Sequence, residues 1–100
     1  MIQVKVKYQD ELVEHVSING HAGYDEYGKD IVCAAVSSIV ITSINAMIRV
    51  DDAGIKYQES DGNVELSIIK HSDMIDLLVA NMIDLLKELQ QNYRGYINFK

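Results

Sequence analysis

Two pairs of short alternating segments, each followed by a long helical stretch, predict an α+β domain of two layers. The element order is β-β-α-β-β-α, with a mainly antiparallel sheet packed by two helices and a short C-terminal edge strand over 96–99. Three observations carry this reading. Apolar residues recur with period two over 2–8 and again over 55–68; an uncharged run fills 31–48; and a helical stripe runs from about residue 73 to about residue 93.

In the first strand Ile2, Val4, Val6 and Tyr8 share one face, with Gln3, Lys5 and Lys7 on the other. Gln9-Asp10-Glu11 is a polar turn. Leu12–Asn19, rich in β-branched residues and with Val16 and Ile18 on one face, completes a hairpin. A glycine-containing loop over 20–29 follows. Asp30 suits the N-cap of the next element, because its carboxylate accepts from the free amides of a first helical turn. From Ile31 to Ile48 no side chain is charged, which approaches the length of a membrane span. Ser37, Ser38, Thr42, Ser43 and Asn45 make the run too polar for one, and its flanks read as soluble segments. It reads instead as a helix buried on two sides, by the sheet and by a second subunit. Arg49 falls in its last turn, where a cation suits the helix dipole.

The second half repeats the pattern with unrelated residues. Ile55 and Tyr57 alternate with Lys56 and Gln58, Asp61-Gly62 makes a hairpin turn, and Val64, Leu66 and Ile68 return. Ser72 or Asp73 caps the second helix. Met74, Ile75, Leu78, Met82, Leu85, Leu86 and Leu89 form its stripe, widened by Leu77 and Val79 beyond what one sheet face covers. Gly95 ends it.

One hundred residues, 48% of them apolar, make a single ordered domain over 1–100. The net charge of −6, with no lysine or arginine cluster, opposes a nucleic-acid backbone and favours solubility or a basic protein or peptide partner. Lys5 and Lys7 interrupt the opening segment, so no secretory leader is expected; one cysteine closes no internal disulfide, and the cytoplasm is the expected compartment. A single cysteine with the dispersed His15, His21 and His71 makes no metal-ligand spacing, and no phosphate cradle follows a strand. No metal, cofactor or membrane partner is expected.

The chemistry concentrates where the loop enters the first helix. With Asp30 as N-cap, Cys33 is the third helical residue, beside first-turn amides at the positive end of a dipole that favours thiolate over thiol. His21, at the start of the loop, is a candidate general base and acid, and the amides around Cys33 are candidate oxyanion donors. Asp30 could orient His21 besides capping. Ser37 lies one turn beyond Cys33, and Tyr24 and Tyr27 either cover a substrate groove or pack the loop. Gly20, Gly23 and Gly28 give the loop freedom to close, so that His21 meets Cys33 when substrate arrives. On residue types alone a lone cysteine in an apolar helix is more often a core residue, and a non-catalytic dimeric interaction module stays open as the alternative. A redox sensor is a third reading, lacking a resolving cysteine in the chain.

The run Gly20-His21-Ala22, Gly28, Asp30-Ile31-Val32-Cys33-Ala34, with Ser37 and Asn45 on the helix behind it, resembles the ribosomal-processing cysteine protease family Prp, the YsxB-like proteins. The element order and the ending Tyr93-Arg94-Gly95-Tyr96-Ile97 agree over the whole chain. Thr42-Ser43 and Arg94 depart from the family pattern, away from the motif. The resemblance reverses the balance toward catalysis. It implies a cysteine endopeptidase with Cys33 and His21 as its dyad, acting through an acyl-enzyme. The implied substrate is the N-terminal extension of bacterial large-subunit ribosomal protein twenty-seven, and the implied assembly is a homodimer.

Overall fold

Asp10 and Glu11 both take left-handed backbone conformations, φ 52° and 68°, in the two-residue turn that joins β1 (Ile2–Gln9) to β2 (Leu12–Asn19). Such turns match the twist of the strands they connect. The computed structural model describes residues 1–26 and 29–100. After the hairpin come α1 (Ile31–Val50), β3 (Ile55–Ser60), β4 (Asn63–Ile68), α2 (Asp73–Asn92) and β5 (Ile97–Phe99). The strands form one sheet in the order β3-β4-β2-β1-β5. All neighbours are antiparallel except β5, which pairs parallel to β1 at the edge. The two-layer α+β architecture and the C-terminal edge strand are those the sequence predicts.

The first hairpin departs from strict alternation at one point. Lys7 pairs with His15 and Tyr8 with Val13, which leaves Glu14 as a bulge. That extra residue lets Val13 and Val16, three apart, both bury. Tyr8, assigned to the apolar face by its spacing, is exposed beside the turn.

Ile2, Val4, Val16, Ile18, Leu66 and Ile68 from the sheet meet Val32, Val36, Val40 and Met47 of α1 and Ile75, Val79, Met82 and Leu86 of α2 in one core. By length and composition α1 could cross a membrane, yet these four of its side chains are fitted into that core. The helices are more apolar than the core requires. Ile31 and Ile41 of α1, and Met74, Leu77 and Leu85 of the α2 stripe, are exposed.

The polar side chains of β2 and β4 satisfy one another. His15 Nδ1 lies 2.7 Å from Ser67 Oγ and its Nε2 lies 2.9 Å from Glu65 Oε1. Ser17 Oγ donates to Glu65 Oε2, and Asn19 donates to Ser17. Burial would raise the pKa of Glu65, but the hydrogen bonds from His15 and Ser17, aided by the charges of His15 and Lys5, hold it below the ordinary glutamate range. His71 pairs with Asp76 in the first turn of α2.

Two outcomes follow from this packing. Leu86→Ala should lower the unfolding free energy by about 2–5 kcal/mol in urea denaturation, because Leu86 is fully buried. Glu65 is depressed in the fold, so its contribution is present above its unfolded value and is lost as pH falls through the folded one. Glu65→Gln should therefore show a shallower loss of stability on acidification than the wild type.

Candidate active site

Asp30 uses both carboxylate oxygens. Its Oδ1 accepts from the amides of Val32 at 2.9 Å and Cys33 at 3.0 Å, which caps α1. Its Oδ2 accepts from the amides of Tyr24 at 2.9 Å and Asp25 at 3.3 Å, in the loop that carries His21. Burial would raise the Asp30 pKa; the four amides outweigh it and hold the carboxyl below its usual range. Asp30 thus acts on the segment that carries His21 through the backbone amides of Tyr24 and Asp25.

The cap changes the electrostatic picture at Cys33. The first-turn amides expected to be unpaired are occupied: Val32 and Cys33 donate to the Asp30 side chain, and Ala34 donates to the Asp30 carbonyl at 3.1 Å. They are therefore not free as oxyanion donors. The amide that meets the sulfur comes from the loop instead, where Ala22 N donates to Cys33 Sγ at 3.2 Å. Its methyl group is buried in the core, which holds that amide in place. Nothing in the spacing of Gly20-His21-Ala22 shows which amide would turn toward the thiol, so the sequence could not single out Ala22. Cys33 itself is half-buried, packed on the core on one side and open on the other.

A groove of about 750 Å³ lies over the thiol. Its floor is Cys33, Ala34, Ser37 and Ile41 of α1, one wall is Gly20, His21, Gly23 and Asp25 of the loop, and the other is the β3–β4 turn from Glu59 to Val64. The structure therefore brings Cys33, His21, Asp30, Ser37, Gly20 and Gly23 to one place. Among the described residues its lining holds the carboxylates Asp25, Asp30, Glu59 and Asp61 and no lysine or arginine.

Gly20 serves close fit more than freedom. Its φ is +98°, its amide donates to the Gly62 carbonyl at 2.8 Å, and a Cβ there would stand 2.6 Å from the Met1 carbonyl oxygen. Tyr24 turns away from the groove to meet the rings of Tyr93 and Tyr96 edge-on, with centroids 5.6 and 5.1 Å away. It packs the loop, the second of its two expected roles. Gly20 and Tyr24 thus tie the described part of the loop to the β3–β4 turn and to the segment before β5. Tyr27 and Gly28, also assigned to the substrate loop, lie outside the described residues.

The family model for cysteine protease Prp matches residues 1–98. A protein named ribosomal processing cysteine protease Prp from Staphylococcus aureus (strain Mu50 / ATCC 700699) is 33% identical to this chain over the full length of both. One of the same name from Bacillus subtilis (strain 168) is 27% identical, over 94% of this chain and 91% of the relative. Among crystal structures, an essential ribosomal processing protease Prp from S. aureus with a covalently linked product peptide has a TM-score of 0.94 and 30% identity, over 100% of this chain and 98% of that one. The S. aureus protease with a substrate peptide has a TM-score of 0.83 and 28% identity over the same shares.

The division of labour at Asp30 can be separated by one substitution. Asp30→Asn keeps an oxygen to cap α1 but replaces the other acceptor with a donor facing the Tyr24 and Asp25 amides. Hydrogen exchange should accelerate at least about tenfold at Tyr24 and Asp25 while the middle of α1 keeps its protection.

Proposed function

This chain belongs to the ribosomal processing cysteine protease Prp family, and from that premise we propose that it is an endopeptidase whose nucleophile is Cys33 and whose general base and acid is His21. Its substrate is the N-terminal extension of bacterial large-subunit ribosomal protein twenty-seven. The observation that carries the reading is the open groove in which the half-buried thiol, the Ala22 amide at 3.2 Å from its sulfur, and His21 all converge. A thiol serving only as core packing would be closed off, whereas Cys33 is half-buried and lines the groove.

The chemistry runs in two halves. His21 removes the thiol proton, and the sulfur attacks the scissile carbonyl carbon of a peptide lying along the groove. The Ala22 N–H, already aimed at the reacting sulfur, turns its hydrogen bond to the developing oxyanion. As the C–N bond breaks, His21 returns the proton to the leaving amine, and a thioester remains on Cys33. Water, deprotonated by His21, attacks that thioester; the new carboxyl terminus departs and the thiol regains its proton.

The relatives support a peptide as substrate, since S. aureus Prp forms complexes with a substrate peptide and with a covalently linked product peptide. The carboxylate-bearing groove and the net charge of −6 favour a basic peptide over nucleic acid. The protein acts in the cytoplasm as a homodimer, a reading supported by exposed Ile31, Ile41, Met74 and Leu77 on its two helices.

The precursor protein incubated with the wild type should lose one N-terminal fragment by intact mass. Cys33→Ala should leave it whole, and His21→Ala should slow cleavage by at least about a hundredfold. Cleavage by Cys33→Ala, with contaminating protease excluded, would sink the assignment. Sedimentation should report twice the 11.3 kDa chain mass; a monomer at micromolar concentration would count against the dimer.

A further inference from the structure

We propose that Gly62, in the β3–β4 turn, is a positioning residue for His21: the space left by its missing side chain is the seat of the imidazole. A Cβ built on Gly62 would stand 2.9 Å from His21 Nε2, 3.2 Å from Cε1 and 3.6 Å from Cδ2. The first separation is shorter than packed side chains allow, so one partner must give way. The turn is the firmer of the two. Its flanking residues Ser60 and Asn63 pair in the β3–β4 ladder, and the Gly62 carbonyl accepts the Gly20 amide at 2.8 Å. The imidazole, at the end of a rotatable and exposed side chain, is what moves. A substituent at Gly62 therefore lands on the catalytic candidate, and one that tolerates the left-handed φ leaves the turn in place.

The contact is with Nε2, a nitrogen that can carry the proton. Displacing the ring changes where a proton is taken and returned relative to Cys33, and that distance governs proton transfer more sharply than it governs peptide binding. The turn also joins the two walls of the groove, since Gly62 holds Gly20, the residue before His21. Gly62 thus bears on His21 twice, through the backbone at Gly20 and through space at the ring.

The inference rests on reading His21 as the base, and its test separates the two. The Gly62 φ of +71° is one that asparagine tolerates and alanine does not. Gly62→Asn therefore adds the Cβ with the turn kept, whereas Gly62→Ala adds backbone strain as well. Gly62→Asn should melt within a few degrees of the wild type, with kcat for the precursor lowered at least about tenfold and KM changed less than about threefold. The pH profile of Cys33 alkylation by iodoacetamide, a probe too small to need the groove, should move toward that of His21→Ala. The His21 Cε1–H chemical shift should move with it, and that signal reports the contact whatever the activity does.

Wild-type kcat in Gly62→Asn with an unmoved Cε1–H signal would overturn the proposal, leaving the glycine a turn former only. A rise in KM alone would overturn it in favour of simple blockage of the groove. Should Gly62→Asn fail to fold, Gly62→Asp, which tolerates the same φ, replaces it under the same criteria. Full activity in His21→Ala would instead defeat the dyad, and inactive His21→Ala beside normal Gly62→Asn defeats the seat alone.

Discussion

The bifurcated bonding of Asp30 is the constraint from which the site follows. One oxygen is committed to the first turn of α1 and the other to the loop before it, so helix and loop share a single anion. Because Val32 and Val36 seat α1 in the core, the anion is fixed relative to the sheet. The loop is then fixed relative to the anion, and Ala22 relative to the thiol. Neutral side chains of similar size could cap the helix, but only a carboxylate has acceptor capacity left to take four amides from two directions.

The opposite wall reaches the site from far along the chain. The Gly20 amide finds the Gly62 carbonyl because β2 and β4 are neighbours, paired from His15–Ser67 to Asn19–Asn63. The end of β2 and the turn after β3 are thereby placed side by side, over the start of α1. The loop and the start of α1, joined through Asp30, meet a turn far along the chain, and the sheet order explains why it reaches them. The polar groups of His15, Ser17, Glu65 and Ser67 form a closed set of hydrogen bonds apart from this groove, and none of them lines it.

Local features were legible in the sequence and long-range ones were not. The strand pairs, both helices, the Asp30 and Ser72 caps, and the glycine-bounded loop leading to Cys33 depend on neighbours a few residues apart, which a linear reading captures. The Glu14 bulge depends on how two strands settle against a core, and alternation does not encode it. The donors around the sulfur were misread for a related reason. The free amides of a helix start are a property of the helix alone, but whether they remain free depends on the cap, and Asp30 uses them. Likewise glycine at position 20 suggests mobility, whereas the approach of Met1, just before β1, makes it a steric requirement.

The three tyrosines carry a consequence for the behaviour of the loop. Tyr24 stands between Tyr93 and Tyr96, so lifting the loop means giving up two edge-to-face contacts with the segment that leads into β5. At about 1 kcal/mol for each contact, displacing Tyr24 would cost about 2 kcal/mol of ring packing. The segment that carries Tyr93 and Tyr96 leads into β5, which pairs with β1, so the same rings that seat Tyr24 lie against the sheet edge. The far edge of the sheet and the loop wall of the groove are thus joined through one tyrosine ring.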